Sequence, residues 1–259
     1  MKTVEIKGVR IGKGVPKTIV SLMGADVSEC LAQAEAAVCA GADLVEWRAD
    51  FARCVHDHDA MVRFGQELSK ALPETPLLFT FRSACQGGVA ELTDDEYISL
   101  NQVMIESGTI DLVDIEERCD ASIVEQLVQA ARAHGVATVV SHHDFEGTPD
   151  VETMRELLVR MARMGADVPK LAVMAHDAGD ALCLLQATEQ AHRDTGLPLI
   201  TMAMGRTGTI TRLVGEAFGS TATFCSLKQA SAPGQVDLAQ AKRTLNDLHE
   251  AIERISQTS

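Results

Sequence analysis

The chain has 259 residues, 46% of them hydrophobic, and a formal net charge of -14. This length allows one sizeable core, and parallel α/β barrels often reach it as one domain, so we expect a single domain over residues 1–259. A charge this negative repels nucleic-acid phosphates and acidic lipid surfaces, so we expect neither nucleic acid nor a membrane as a partner.

The sequence has no apolar run near the roughly 18 residues that a membrane-spanning helix needs, and its first five residues lack the apolar stretch of a signal peptide. Its seven cysteines are odd in number, scattered and never spaced as C-x-x-C, which favours reduced thiols over a disulfide framework. We therefore expect a cytoplasmic protein.

Residues 4–12 alternate apolar and polar side chains around a glycine, which predicts a small hairpin ahead of the first long strand. Further along, short runs rich in Val, Ile, Leu and Thr recur with helix-length stretches between them, as in parallel strands joined by helical crossovers. The predicted strands span residues 18–23, 44–48, 77–82, 112–115, 138–143, 170–174, 199–204 and 221–225. The predicted helices span residues 28–39, 57–71, 94–107, 122–134, 151–164, 180–195, 212–218 and about 236–255.

Strands that are each followed by a helix indicate an α/β fold, a (β/α)8 TIM barrel with the short N-terminal β-hairpin closing the barrel bottom. The rival architecture is a doubly wound open sheet, which usually has a G-x-G-x-x-G turn after its first strand. This chain has Met23-Gly24-Ala25-Asp26 at that point, so we favour the barrel.

Charged side chains recur at the predicted strand ends. In a barrel, alternate strand residues point inward, and active sites lie at the C-terminal ends of the strands. On the second strand Glu46, Arg48 and Asp50 share one face, while Arg82 ends the third strand and His143 the fifth. Each has an ordinary explanation when taken alone: an internal ion pair, a strand end that reaches solvent, or a hydrogen-bonded core histidine. Their occurrence on several strand ends indicates a site.

Lys170 places an ammonium group in the otherwise apolar segment 169–175. Burial disfavours the charged form of such a lysine and lowers its pKa. A neutral amine is a nucleophile, and Schiff-base enzymes activate their lysine by desolvating it in this way. The alternative is a lysine at the start of a strand whose side chain extends into solvent.

Two loops after predicted strands carry polar groups. Residues 205–212 contain glycines and lead into a helix, so their backbone N–H groups can cradle an anion, although their spacing is not that of a nucleotide-binding P-loop. Residues 226–235 carry hydroxyls and amides, typical of a loop that closes over a ligand, but an ordinary surface connection has the same composition. Alternating His and Asp at residues 56–59 is interpreted as a solvated turn and helix cap, so no metal site is expected.

Several of these segments together resemble the type I 3-dehydroquinate dehydratases of the shikimate pathway, which leads to chorismate and the aromatic amino acids. The resemblance extends over essentially the whole chain. The segments are 46–50 (EWRAD), 79–83 (FTFRS), 141–145 (SHHDF), 170–174 (KLAVM) and 231–235 (SAPGQ), with 212–220 (RLVGEAFGS) as a further match.

The resemblance implies a lyase that dehydrates 3-dehydroquinate to 3-dehydroshikimate through a Schiff base on Lys170, with His143 as general acid and base. It also implies that Glu46, Arg48 and Arg82 bind the substrate hydroxyls. Family members use no metal or organic cofactor and commonly form homodimers, so we expect the same of this chain. The full set of substrate-binding residues expected on this basis is Ser21, Glu46, Trp47, Arg48, Arg82, Arg212, Ser231 and Gln235, of which Arg212, Ser231 and Gln235 would hold the carboxylate.

The residue types agree with this chemistry. A protonated imine is an electron sink, so a base can remove a proton from the adjacent carbon near neutral pH. An imidazole has its unperturbed pKa in the working range of such a base. Arginines hold a small anionic polyhydroxy acid by bidentate contacts, which explains basic side chains within a strongly acidic protein.

One position departs from the family pattern. Many relatives carry a glutamate shortly after the third-strand arginine, whereas this chain reads Arg82-Ser83-Ala84-Cys85-Gln86. An amide can orient the imidazole of His143 but cannot stabilise its cation as a carboxylate does. We therefore expect Gln86 to support the histidine and to change the pH dependence of activity.

Two other functions are compatible with the pattern. A Schiff-base class I aldolase on a similar barrel would share the strand lysine but would usually act on phosphorylated sugars. A catalytically impaired binder of shikimate-like acids would retain the binding residues, with Gln86 marking the lost catalysis.

Overall fold

The computed structural model describes residues 2–117, 120–227 and 230–256. Strands β3 to β9 lie side by side in chain order in one curled parallel sheet, and β10 pairs with β3. The hairpin strands are β1 Val4–Ile6 and β2 Val9–Ile11. The barrel strands are β3 Lys17–Leu22, β4 Leu44–Arg48, β5 Leu77–Thr80, β6 Leu112–Glu116, β7 Ala137–Asp144, β8 Val168–Met174, β9 Ile200–Met204 and β10 Ala222–Ser226.

The sheet closes between β9 and β10. Leu199, just before β9, forms a parallel bridge to Ser220, and the Thr221 backbone N–H donates to the Leu199 carbonyl at 2.7 Å. One more short strand, β11 Val236–Asp237, pairs with the end of β10. The predicted (β/α)8 TIM barrel is therefore confirmed.

The N-terminal hairpin covers the end of the barrel at which the strands begin. Its two-residue turn places Lys7 at φ 47° and Gly8 at φ 77°, the left-handed pair that matches the twist of a tight hairpin. Ile11 is buried in the cluster that fills the barrel interior, together with Ile19 and Leu44 from the strand starts. The hairpin thus keeps water out of the lower end, which leaves the opposite end for a ligand.

Helices follow the strands and pack on the outside of the barrel. Six of them begin at an Asp or Thr whose side chain accepts a backbone N–H of the first turn, which satisfies donors that a helix start leaves free. One of these caps is Asp57, within the segment 56–59. The helices are α1 Val27–Cys39, α2 His58–Ala71, α3 Asp94–Glu106, α4 Ala121–Ala133, α5 Val151–Arg163, α6 Ala178–Thr195, α7 Gly205–Gly208, α8 Thr211–Val214 and α9 Leu238–Ser256.

The predicted helix over residues 212–218 is wrong in its extent. The segment forms the last three residues of the short helix α8 and then a 3-10 turn over Gly215–Phe218, and the equally short α7 precedes it. Long-range packing explains the interruption, because a Cβ at Gly208 would lie 2.6 Å from the Ala203 backbone and one at Gly215 would lie 2.9 Å from Ser220. The chain therefore runs close against the barrel here, which no local pattern shows.

Apolar side chains form two layers. One fills the barrel interior, and the larger one lies between the strands and the surrounding helices. Of the helices that the structure describes, none is at once long enough and apolar enough to cross a membrane. Six cysteines of the described residues are free thiols, and Cys119 lies outside those residues.

Candidate active site

A pocket opens at the C-terminal ends of the barrel strands. Glu46 and Arg48 reach it from β4, His143 from β7 and Lys170 from β8, because alternate strand residues point into the barrel. Apolar side chains of β8, β9 and β10 line the rest of it. The polar lining residues are Glu46, Arg48, Arg82, Gln86, His143, Lys170, Arg212, Ser231 and Gln235.

The Lys170 amine lies in the interior of the barrel and not in solvent, which removes the strand-start alternative for this residue. The side chain is 3% exposed, and its Nζ lies 2.9 Å from Asp114 Oδ2, 4.0 Å from Glu46 Oε1 and 4.5 Å from the centre of the Phe224 ring. Burial lowers the pKa of the amine, and the Asp114 carboxylate opposes that shift. The surroundings are thus less apolar than the sequence of the strand predicts.

His143 is held by Gln86. The Gln86 Oε1 accepts the His143 backbone N–H at 2.9 Å and lies 3.0 Å from the ring Nδ1. Because a carbonyl oxygen only accepts, Nδ1 carries the proton of the neutral ring and Nε2 is left with its lone pair. Burial, together with the Arg82 and Lys170 cations, holds the pKa of His143 well below its usual value. The imidazole is therefore a neutral base at physiological pH.

Glu46 and Arg48 of β4 do not form the internal ion pair with each other that their sequence positions allow. Arg48 donates from Nε and Nη2 to the two oxygens of Asp50, each at 2.8 Å. Glu46 accepts from Ser21 Oγ at 2.5 Å and from Thr80 Oγ1 at 3.0 Å. Arg48 is thereby fixed at the pocket wall, and one Glu46 oxygen points toward the Lys170 amine.

Arg82 joins two buried carboxylates. Its Nη1 donates to Glu116 Oε1 at 2.9 Å and to Ser141 Oγ at 3.0 Å, while Nη2 lies 2.9 Å from Asp114 Oδ2. Burial disfavours the charge of this guanidinium, but Asp114 and Glu116 outweigh burial and raise its pKa. Arg82 is therefore a permanent cation at the pocket wall and does not extend into solvent.

Arg212 is a buried cation of a different kind. It is 3% exposed, and within the described residues the only hydrogen bond of its guanidinium runs from Nη2 to the Pro233 carbonyl at 3.2 Å. Its Nε and Nη1 are buried without a hydrogen-bond partner in those residues. Burial lowers the pKa of Arg212 to about 10. A buried guanidinium with free N–H groups beside a pocket is suited to an anionic ligand.

The loop that carries Ser231 and Gln235 lies beside Arg212. Gln235 accepts the Ser231 backbone N–H at 3.0 Å and donates to Ser231 Oγ at 2.8 Å, and Ser21 Oγ lies 3.1 Å from Ser231 Oγ. A Cβ at Gly234 would lie 2.5 Å from the Gly205 carbonyl, so the two predicted loops pack closely together. Lys228 and Gln229 of the predicted loop 226–235 lie outside the described residues.

One barrel mouth thus holds a neutral base, a buried amine and a guanidinium without a carboxylate partner in the described residues. The model of the Type I 3-dehydroquinase family matches residues 18–252. The chain belongs to this family. This confirms the family that the sequence segments indicate. The proteins of the family are hydro-lyases.

Individual relatives agree with the family match over nearly their whole length. The chain is 42% identical to 3-dehydroquinate dehydratase of Salmonella agona, over 97% of this chain and 100% of that protein, and 43% identical to the Escherichia coli protein with the same coverage. A solved type I 3-dehydroquinate dehydratase from Clostridium difficile, with covalently modified comenic acid, superposes with a TM-score of 0.93 at 37% identity, over 96% of this chain and 99% of that one. The 3-dehydroquinate dehydratase of Geobacillus kaustophilus gives 0.91 at 38% identity, over 96% and 97%.

Trp47, expected among the substrate-binding residues, does not line this pocket. The side chain is fully buried on the outer face of β4, with its ring centre 4.6 Å from that of Phe64 and 5.3 Å from that of Phe79. Strand alternation explains this position, because Glu46 and Arg48 on either side of it point inward. Trp47 packs the strand against α2.

Sequence reasoning missed Asp114 and Glu116, both fully buried on the inward face of β6. They alternate with Leu112 in the same way as the charges of β4, so the same rule would have found them. The predicted strand ended at Ile115, one residue before Glu116 and its contacts. These carboxylates hold Arg82, and Asp114 also holds Lys170.

Proposed function

We propose that this chain dehydrates 3-dehydroquinate to 3-dehydroshikimate through an imine on Lys170, with His143 as general acid and base. The name shared by its relatives supports the substrate and the reaction. The main observation in favour of the mechanism is that one pocket holds both the buried Lys170 amine and the His143 ring. The Nδ1 of this ring donates to Gln86, so Nε2 is free to act as the base.

The first step joins the amine to the substrate ketone. Lys170 releases one proton and attacks the carbonyl carbon as the neutral amine. The carbonyl oxygen then takes up that proton together with one amine proton and leaves as water, so a protonated imine with one N–H remains. The positive nitrogen draws electrons from the adjacent carbon and acidifies its C–H bond. Asp114 is close enough to accept a hydrogen bond from the nitrogen in its charged forms, and the Glu46 carboxylate lies 4.0 Å from it.

The second step removes the elements of water. His143 Nε2 takes the proton from the carbon next to the imine, and the electrons of that C–H bond form an enamine. The enamine then expels the hydroxyl on the next carbon, and the histidine returns its proton so that the hydroxyl leaves as water. Hydrolysis of the remaining conjugated imine releases the enone and restores the lysine.

Arg212 provides the binding site for the substrate carboxylate. Its Nε–H and Nη1–H groups are free to donate to a carboxylate, and Ser231 and Gln235 add polar atoms beside it. Glu46, Arg48 and Arg82 would bind the ring hydroxyls from the opposite wall. We propose that neither a metal nor an organic cofactor takes part.

The test is incubation with 3-dehydroquinate, with absorbance used to follow the conjugated enone and borohydride used to trap any imine. We expect enone formation and a mass increase on the Lys170 peptide, and neither in Lys170→Ala. Cleavage products in place of the enone would favour the aldolase. Tight binding without enone and without a mass increase would favour the impaired binder. Either result would contradict the proposal.

We further propose that residues 1–259 form one domain that acts in the cytoplasm as a homodimer, within the shikimate pathway. The family resemblance supports the dimer and the pathway. Light scattering after a sizing column should give a molar mass twice that of one chain. A measured mass equal to that of one chain would contradict the dimer. Cell fractionation tests the compartment.

A further inference from the structure

We propose that Asp114 is the counter-ion of the Lys170 imine and keeps the imine nitrogen protonated during turnover. The inference rests on the proposed imine chemistry and adds a residue to it. The geometry of β6 and β8 carries it: Asp114 Oδ2 lies 2.9 Å from the atom that becomes the imine nitrogen.

Asp114 is positioned for this task by contacts on both of its oxygens. Ser141 Oγ donates to Oδ1 at 2.5 Å, which fixes the carboxylate plane and turns Oδ2 toward the two cations. Lys170 Nζ and Arg82 Nη2 each lie 2.9 Å from Oδ2. The carboxylate is fully buried, so water does not compete for these contacts.

The carboxylate also stays ionised over the working pH range. Burial alone would oppose ionisation, but the Arg82 and Lys170 cations outweigh it and lower the pKa of Asp114 to about 2. A carboxyl group with so low a pKa is a poor proton carrier and a good permanent anion. Its contribution is therefore electrostatic, as a fixed charge beside the nitrogen.

The imine needs such an anion. An imine that loses its proton is no longer an electron sink, and a buried cation without a partner gives up its proton readily. The Lys170 side chain is 3% exposed, and the Phe224 ring covers one side of its nitrogen. The charged and titratable groups that face it from the other elements are Asp114 on β6, Glu46 on β4, Arg82 after β5 and His143 on β7.

Asp114 is better placed than Glu46. Glu46 Oε1 is 4.0 Å from the amine, beyond hydrogen-bond reach, and its two oxygens already accept from Thr80 and Ser21. Arg82 carries the opposite sign and would drive the proton off the imine if Asp114 were neutral. The balance of charge at the nitrogen thus depends on this one carboxylate.

The step balances with Asp114 unchanged. An ammonium and a ketone give a protonated imine and water, so two of the three N–H protons leave with the ketone oxygen and the third stays on nitrogen. That remaining N–H donates to Asp114 Oδ2 in place of the ammonium. The carboxylate begins and ends the step ionised.

The experiment compares Asp114→Asn with Glu116→Gln, the neighbouring inward carboxylate, which also binds Arg82 and additionally binds Ser83. Each protein is mixed with 3-dehydroquinate across a pH series and treated with cyanoborohydride, which reduces protonated imines much faster than neutral ones. Borohydride, which traps both forms, gives the total imine. Mass spectrometry of the Lys170 peptide gives the protonated fraction at each pH.

We expect the midpoint of the protonated fraction to fall by about 1 to 3 pH units in Asp114→Asn, with total imine still formed at high pH, and to move far less in Glu116→Gln. If the midpoint is the same in Asp114→Asn and the unaltered chain, Asp114 is not the counter-ion, but the proposal of an imine on Lys170 still holds. No labelling of the unaltered chain by either reagent would overturn the proposed function as well. If Asp114→Asn does not fold, Ser141→Ala is the second variant, because it frees Asp114 Oδ1. It should shift the midpoint in the same direction by a smaller amount. An unshifted midpoint in Ser141→Ala would equally overturn the proposal that Asp114 is the counter-ion.

Discussion

The two sides of the pocket hold their buried arginines in opposite ways. On the β5 to β8 side, the charge of Arg82 is paired with the carboxylates of Glu116 and Asp114, its Nη1 also donates to Ser141, and Asp114 pairs with Lys170 as well. On the other side, Arg212 has one carbonyl partner and two buried nitrogens without a hydrogen-bond partner in the described residues. A network of paired charges holds reacting groups in place before a ligand arrives, whereas Arg212, which has no carboxylate partner in the described residues, gains one only from the ligand.

Removal of the Lys170 amine from the charge-paired side should have the largest effect on turnover. We expect Lys170→Ala to reduce turnover by a factor on the order of 10⁴ or more, because the imine cannot form and the remaining groups lack an electron sink. Steady-state kinetics on 3-dehydroquinate measures this, and circular dichroism controls for folding. A loss below about tenfold would show that the amine is not the nucleophile.

The free energy of unfolding should respond differently to the loss of Arg82 and to the loss of Arg212. We expect Arg82→Met to lower the free energy of unfolding by about 3–5 kcal/mol, because it leaves Asp114 and Glu116 as buried unpaired anions. Arg212→Met should leave the free energy of unfolding unchanged or raise it by about 1 kcal/mol or more, because it removes a buried cation that lacks a protein partner. Urea denaturation without ligand measures both. Equal losses in the two variants would remove the distinction.

Arg212 should instead control substrate affinity. We expect Arg212→Lys to raise KM about 100-fold with a smaller change in kcat, because an ammonium keeps the charge but not the bidentate donor pair for the carboxylate. The matched control is Arg82→Lys, in which kcat should fall as well because the Asp114 contact is disturbed. If kcat alone fell in Arg212→Lys, Arg212 would belong to the reacting side.

The pH dependence should follow His143. Its folded pKa lies below its unfolded value of about 6.5, so the unfolded state binds the proton first as the pH falls. The contribution of this group to stability is complete above about pH 6.5 and is lost below it. We expect Gln86→Glu to raise the pKa of His143 and move the acid limb of the kcat/KM profile up by about 1 to 2 units, with less effect on stability. Superimposable pH profiles of the two proteins would exclude this role of Gln86.

Chelation should have no effect. We expect dialysis against EDTA to leave turnover unchanged, because the proposed electron sink is an imine and not a metal ion. Assays before and after dialysis, with and without added divalent cations, measure this. Activity that is lost on dialysis and restored by a cation would contradict the cofactor-free mechanism.

Much of this arrangement could be predicted from local pattern. Hydrophobic runs of strand length located the barrel strands, and alternation along β4 and β7 placed Glu46, Arg48 and His143 inward. Which charged side chains pair with each other could not be predicted, because the pairing depends on contacts between strands that are distant in sequence. Arg48 pairs with Asp50 and not with Glu46, and Lys170 meets Asp114, 56 residues away.

The misses have specific physical causes. Trp47 was grouped with its inward neighbours as part of a motif, although the alternation of the strand turns it outward to Phe64. The helix over 212–218 is broken at Gly215, where the 3-10 turn begins and a Cβ would lie only 2.9 Å from Ser220. Asp114 was overlooked because its strand was judged by its apolar residues, and its importance depends on Lys170 two strands away.

The most direct test of the central claim compares the extent of labelling at Lys170 with the activity that remains. The enzyme is treated with increasing amounts of borohydride in the presence of 3-dehydroquinate, and both quantities are measured at each step. We predict that activity falls in proportion to the fraction of Lys170 that carries the reduced adduct. Full labelling with activity retained, or activity lost with the adduct on another residue, would contradict the account.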